Sequence, residues 1–158
     1  MPEPITQQIL RRIDEAASLY HRLVLLVMPS GSGKTAALRS VAQRLSARYI
    51  NVNLELSRRL LDLTERQRAL QAGRLLDEII GSGAEAVVLL DNVELLFDPK
   101  LKQDPLRLFQ ALSRRRTVVV AWNGHVQDGY LTYAEPDHPD YRRYPAADLV
   151  VVVQSEVA

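Results

Sequence analysis

Apolar and polar residues alternate in two rhythms along this chain, one of helices and one of buried strands. From Ile5 to Tyr20 the apolar positions Ile5, Ile9, Ile13, Ala16, Ala17 and Tyr20 recur at helical spacing with Gln, Arg, Asp and Glu between them, predicting an N-terminal helix. Leu23–Met28 is an unbroken apolar run that reads as a buried strand. Leu38, Val41, Ala42 and Leu45 restore the helical period, and Arg48 to Leu54 then alternates as a second strand. Thr64, with Gln67 three residues on, forms a capping-box start for a helix whose inner side carries Leu70, Leu75, Leu76, Ile79 and Ile80, and Gly81-Ser82-Gly83 stops it. Ala86–Leu90 is a short third strand ending at Asp91, Asp104-Pro105 starts a helix lined by Leu106, Phe109 and Leu112, and Thr117–Ala121 is a fourth strand. Residues 123–147 show no clear period and read as an irregular excursion with room for a short helix; Leu149–Val153 closes as a fifth strand. Five strands with little alternation, separated by helices, predict a parallel sheet covered on both faces.

Composition narrows the classes. At 158 residues and 47% hydrophobic content the chain suits one domain, residues 1–158, with a sizeable core. Twenty basic and nineteen acidic side chains leave a net charge of +1, so there is no field for nonspecific capture of nucleic acid and no direct nucleic-acid signal. Without cysteine, thiol catalysis and thiolate metal sites are excluded, and His21, His125 and His138 lack metal-ligand spacing. The Met-Pro-Glu-Pro start lacks the features of a signal peptide and no apolar run reaches membrane-spanning length, so a cytoplasmic location is expected, with no membrane partner.

The candidate chemistry begins where the first strand ends. Pro29-Ser30-Gly31-Ser32-Gly33-Lys34-Thr35 leads from strand to helix, and its residue types suit the phosphates of a nucleoside triphosphate. Gly31 and Gly33 allow backbone N–H groups to face phosphate oxygens, Lys34 brings a cation to the β/γ-phosphates, and Thr35 offers a hydroxyl to Mg²⁺. The helix that opens here adds its positive dipole end. The contact run expected for the nucleotide is Pro29, Ser30, Gly31, Ser32, Gly33, Lys34, Thr35 and Ala36. Met28 stands where the Walker A pattern G-x-x-x-x-G-K-[ST] has its first glycine.

Ligands of open parallel sheets bind beyond the carboxyl ends of the strands, which singles out Asn53, Asp91 and Asn123 besides the loop. Asp91, after Val-Val-Leu-Leu, has the place of the aspartate that shares Mg²⁺ with Thr35. Glu94 is the nearest carboxylate for activating water, or equally a solvated residue of a first helical turn. Asn123, followed by Gly124, is either a γ-phosphate sensor or a turn. Trp122 reads as packing, and Arg114-Arg115-Arg116 as a solvated helix C-terminus.

Gly-Ser-Gly-Lys-Thr at 31–35, Val-Val-Leu-Leu-Asp-Asn-Val-Glu at 87–94 and Val-Val-Val-Ala-Trp-Asn-Gly at 118–124 together resemble the AAA+ and related additional-strand P-loop ATPases over nearly the whole chain. The resemblance implies a three-layer αβα sandwich on a five-stranded parallel sheet, ATP and Mg²⁺ as cofactors, and assembly into a homo-oligomer. In that family a glutamate follows the aspartate directly, whereas here Asn92 does, which implies hydrolysis that is slow or partner-dependent. It also implies that Arg142 or Arg143, between Asn123 and the last strand, acts as an arginine finger on a neighbouring subunit. The helical lid of typical members is not expected, which would leave adenine between Tyr20–Arg22 and the loop. More narrowly, Tyr20–Leu23, Asn51–Leu54 and Leu90–Glu94 resemble the BrxF family of small P-loop proteins in type 3 BREX phage-defence systems. That likeness implies a bacterial ATPase working beside other defence-system proteins. A nucleotide-dependent scaffold that does not hydrolyse, and a small-molecule or nucleotide kinase, are the competing readings; a kinase should show an arginine-rich lid and an acceptor-binding acidic pair, and neither is evident.

Overall fold

The strand that carries the loop sits inside a mostly parallel sheet. The computed structural model describes residues 4–81 and 85–153. The elements run α1 (Ile5–Ala16), β1 (Leu23–Met28), α2 (Lys34–Leu45), β2 (Arg48–Asn51), α3 (Val52–Leu60), α4 (Glu65–Gly81), β3 (Val87–Asp91), two 3-10 turns (Glu94–Phe97 and Pro99–Leu101), α5 (Pro105–Leu112), β4 (Thr117–Gln127), β5 (Tyr130–Tyr133), β6 (Arg142–Pro145) and β7 (Val150–Val153). The parallel strands are ordered β2-β3-β4-β1-β7, with β5 and β6 added antiparallel beyond the end of β4.

All of β1 is buried because it lies between two strands and under helices on both faces. Leu23, Leu25 and Val27 join the core formed with α3, α4 and α5, while Val24, Leu26 and Met28 join the one formed with α1 and α2. This two-sided burial removes the polar alternation and gives parallel strands their uniform apolar character. Local signals set the helix starts. Thr64 and Gln67 exchange hydrogen bonds, backbone N–H to side-chain oxygen in both directions, at 2.9 and 3.2 Å, and Asp104 accepts from the Arg107 N–H ahead of Pro105. Of the Gly81-Ser82-Gly83 stop, Gly81 is the last residue of α4, and Ser82 and Gly83 lie outside the described residues.

Three expectations need correction. The first helix ends at Ala16 rather than Tyr20. The second strand ends at Asn51 rather than Leu54, because the Asn51 side chain accepts from the Leu54 N–H and caps α3, whose buried stripe is Val52, Leu56 and Leu60. Residues 123–147 are a β-meander instead of an irregular excursion. β4 continues through Asn123 and Gly124, and Asp128 (φ 53°) with Gly129 (φ 82°) forms a two-residue hairpin turn into β5. β6 then pairs with β5.

Gly124 is the narrow point of this extension. A Cβ there would collide with the carbonyl oxygen of Thr132, which also accepts the Trp122 indole N–H at 2.9 Å. Trp122 is fully buried and edge-packed against Phe97, Phe109, Tyr133 and Tyr144, as its reading as a packing residue requires. Phe97 and Tyr133 stack nearly parallel, tying β5 to the turn that follows β3. Gly124→Ala is therefore expected to destabilise the protein by about 2 kcal/mol and lower the thermal midpoint by about 4–8 °C, measured by calorimetric melting; an unchanged midpoint would show that the hairpin can shift away from β4.

Candidate functional site

The carboxyl ends of β1 and β3 converge with the middle of β4 and the start of α2. Ser30, Gly31, Gly33, Lys34, Thr35, Asp91, Asn92, Glu94, Ala121 and Asn123 line a cleft of about 230 Å³. Gly31 and Gly33 have φ of 77° and 94°, a left-handed backbone that favours glycine. The space beside each is open, with nothing within 4 Å of where a Cβ would stand, so conformation rather than crowding demands glycine. Ser32 closes the loop by donating to the Pro29 carbonyl. No side chain caps α2 and its first turn holds no acidic residue, leaving its N-terminal N–H groups suited to an anion.

Lys34 is the cation of the cleft, 7% exposed, donating to the Met28 and Pro29 carbonyls at 3.0 and 2.7 Å. Burial lowers its pKa, while Asp91 and Glu94 pull it back up. Met28, at the first-glycine position, is a buried strand residue whose carbonyl serves Lys34; its side chain packs in the α1–α2 core. Ser30 and the other loop residues follow in the turn between β1 and α2, and Ala36 lies in the first turn of α2.

Asp91 ends β3 and is 3% exposed. Its Oδ2 accepts from the Thr35 hydroxyl at 2.6 Å and from the Tyr49 hydroxyl at 2.5 Å, and its Oδ1 from the Asn92 N–H at 3.0 Å. Burial, then the hydrogen bond to Asp91, raises the Tyr49 pKa and keeps the phenol a donor. Asn92 takes a positive φ of 51°, turning the chain sharply after β3. That turn brings Glu94 back over the cleft. Its Oε2 accepts from Asn53 Nδ2 at 3.2 Å and its Oε1 from Asn123 Nδ2 at 2.9 Å. Asn53 is itself fixed, with its N–H on the Asn92 carbonyl and its Oδ1 accepting the Leu95 N–H.

Lys34, Thr35, Asp91, Glu94 and Asn123 thus meet in one place. Asn123 lies within β4, so the turn reading of Asn123-Gly124 does not hold. Asn53 reaches the group from the first turn of α3 rather than from a strand end. Arg142 and Arg143 stand apart on β6: Arg142 donates to the carbonyls of Phe97, Asp140 and Tyr141, and the exposed Arg143 lies 3.6 Å over the Tyr130 ring. Tyr20–Arg22, near which the adenine contact is expected, immediately precede β1, at the opposite end of that strand from the loop. Tyr49 was missed. The parallel register Tyr49↔Leu89 and Asn51↔Asp91 puts it two positions before Asp91 on the same sheet face, a signal available only once β2 and β3 are known to be neighbours.

A family model for AAA, the ATPase family associated with various cellular activities, matches residues 24–117. The chain belongs to the AAA ATPase family. The matched span takes in the loop, Asp91 and Glu94 of this AAA domain and stops at the start of β4. No curated protein matches the chain. A solved structure of PCH-2 from C. elegans aligns with a TM-score of 0.43 at 19% identity, covering 95% of this chain and 40% of that one. Among the described residues of the AAA domain, no helix is long and apolar enough to cross a membrane.

The oxygen donors fit Mg²⁺. Thr35 and Asp91 present a hydroxyl and a carboxylate 2.6 Å apart, and among the described residues no cluster of three His, Cys, Asp or Glu forms an all-protein cage. Such a site suits a hard cation that arrives with phosphate and water completing its shell. The depressed Lys34 pKa carries a sign. Between its folded value and the ordinary 10.5 the unfolded chain binds more protons, so this residue makes stability rise with pH there and lose that increment as pH falls. As pH rises toward 10.5, thermal midpoints should climb less, or fall more, in Lys34→Met than in the unsubstituted protein; parallel profiles would contradict the burial of the charge.

Proposed function

We propose that this AAA domain binds ATP with Mg²⁺ in the cleft above β1, β3 and β4 and hydrolyses it slowly, as the nucleotide-responsive part of a larger assembly. The observation that carries the reading is the meeting of Lys34, Thr35 and Asp91 with Glu94 at the end of an uncapped helix. The cleft volume of about 230 Å³ matches a triphosphate tail and its metal better than a whole nucleotide, so the base lies outside it.

In this reading Lys34 exchanges the Met28 and Pro29 carbonyls for β- and γ-phosphate oxygens, and the α2 N-terminus and left-handed glycines supply N–H donors. Thr35 and Asp91 would hold the Mg²⁺, which would offset the negative charge of the phosphates. Glu94 is the group to orient water and take its proton, and Asn123 senses the γ-phosphate. Each oxygen of Glu94 already accepts from an asparagine amide, so the attacking water must compete with Asn53 and Asn123 for its remaining lone pairs. This constraint supports slow basal turnover. The same observation favours a second reading, a scaffold that binds nucleotide without hydrolysing it.

We further propose assembly with copies of itself, with Arg142 or Arg143 acting on the neighbour's γ-phosphate. Arg143 is the better placed, being exposed while Arg142 serves carbonyls of its own chain. A role in a bacterial BREX-type defence assembly rests on the likeness of Asn51–Leu54 and Leu90–Glu94 to BrxF proteins; methyltransferase and phosphatase-like genes beside this one would support it, and an isolated locus would count against it.

Phosphate release decides between the readings. Slow release by the unsubstituted protein, lost in Glu94→Gln with ATP binding retained, is expected; binding without release, alone or with partners, would establish the scaffold. Mixed Lys34→Ala and Arg142→Ala/Arg143→Ala subunits should regain activity that neither has alone, and the absence of complementation under assembling conditions would remove the arginines from the mechanism.

A further inference from the structure

Tyr49 reaches Asp91 from outside the loop and the β3 end. It lies on β2, and its hydroxyl donates to the Asp91 Oδ2 that also accepts from Thr35. The Arg39 guanidinium, from α2 one helical turn beyond Thr35, sits 5.2 Å from the Tyr49 ring centroid, holding the ring between helix and sheet. Asp91 is thereby fixed from three elements: α2 through Thr35, β2 through Tyr49, and its own strand end through the Asn92 N–H.

We propose that Tyr49 is a positioning residue for the divalent cation, fixing the Asp91 carboxylate so that it keeps its orientation when the Thr35 oxygen turns to the metal. The proposal rests on the Mg²⁺-nucleotide reading above. With Thr35 engaged by a cation, the Tyr49 hydroxyl is the side-chain donor that continues to hold Oδ2 in place. A group that orients a ligand in this way acts on metal affinity and leaves phosphate contacts to the loop alone. A phenylalanine of the same shape would keep the ring beside Arg39 while removing the hydroxyl's interactions with Asp91 and Arg39, and Arg39→Met reports the second of these separately.

The test is fluorescent ATP-analogue binding to the full chain, once in excess chelator and once across a Mg²⁺ titration, for the unsubstituted protein, Tyr49→Phe and Arg39→Met. Tyr49→Phe is expected to raise the half-saturating Mg²⁺ concentration by about 10-fold while metal-free binding changes by less than about twofold. Arg39→Met, which frees the ring but keeps the hydroxyl, should shift the midpoint in the same direction by less. An unchanged Mg²⁺ midpoint in Tyr49→Phe, a lowered one, or an equal loss with and without the cation would overturn the proposal; the lowered midpoint would mean that the hydroxyl competes with the metal for Oδ2. If the unsubstituted protein binds no nucleotide, the Mg²⁺-nucleotide reading falls and this proposal falls with it.

Discussion

A buried carboxylate whose oxygens must find hydrogen-bond donors governs this structure. Asp91 is almost fully enclosed, and an ionised carboxylate in that position is tolerated only with its oxygens supplied with donors. Thr35, Tyr49 and the Asn92 N–H supply them, and the buried ammonium of Lys34 adds its field. These groups come from β2, the end of β3 and the start of α2, so the charge can be accommodated only when the strand order β2-β3-β4-β1 is in place. The local demands of the loop follow. Gly31 and Gly33 turn the chain so that Lys34 faces back toward β1 and Thr35 faces Asp91.

A second constraint comes from the other side of the cleft. Asn92 turns with a positive φ and hands the chain to the 3-10 segment bearing Glu94, whose far end, Phe97, is gripped by Tyr133 and Trp122. The antiparallel extension therefore does more than lengthen β4: it seats the turn that holds Glu94 while β4 itself delivers Asn123. With Asn53 bracing the same carboxylate from α3, Glu94 is ordered by elements on both sides of β3. Trp122 shows why the packing and the chemistry are linked. Its indole N–H bonds the same Thr132 carbonyl that crowds Gly124, one residue past Asn123.

The sequence carried the core of this arrangement because its main signals are local. An apolar run into Gly-Ser-Gly-Lys-Thr, a capping box at Thr64, Asp104-Pro105 and an apolar strand ending in Asp91 each need only a few neighbouring residues to be read. Where the reading failed, two local codes competed. Asn51-Val52-Asn53-Leu54 alternates as a strand does, yet Asn51 is a helix cap and Val52, Leu56 and Leu60 form the helical stripe. The Asp128-Gly129 hairpin signal stood in residues 123–147 but was masked by prolines and tyrosines that belong to β5, to β6 and to the loop between them. Tyr49 had no local signal at all, since its partner is set by strand register. The Glu94 position was legible as a carboxylate in reach, whereas its double clamp depends on α3 and β4 arriving together.

Lys34 and Asp91 are the two poles of the proposed ATP-Mg²⁺ site. The most direct measurement is equilibrium binding of ATP by titration calorimetry, in Mg²⁺ and in chelator, to the unsubstituted chain and to Lys34→Ala. Mg²⁺-strengthened binding to the first and a loss of at least about 10-fold in the second is the predicted result, a difference of about 1.4 kcal/mol or more. No binding by the unsubstituted chain, or equal binding by both, would contradict it.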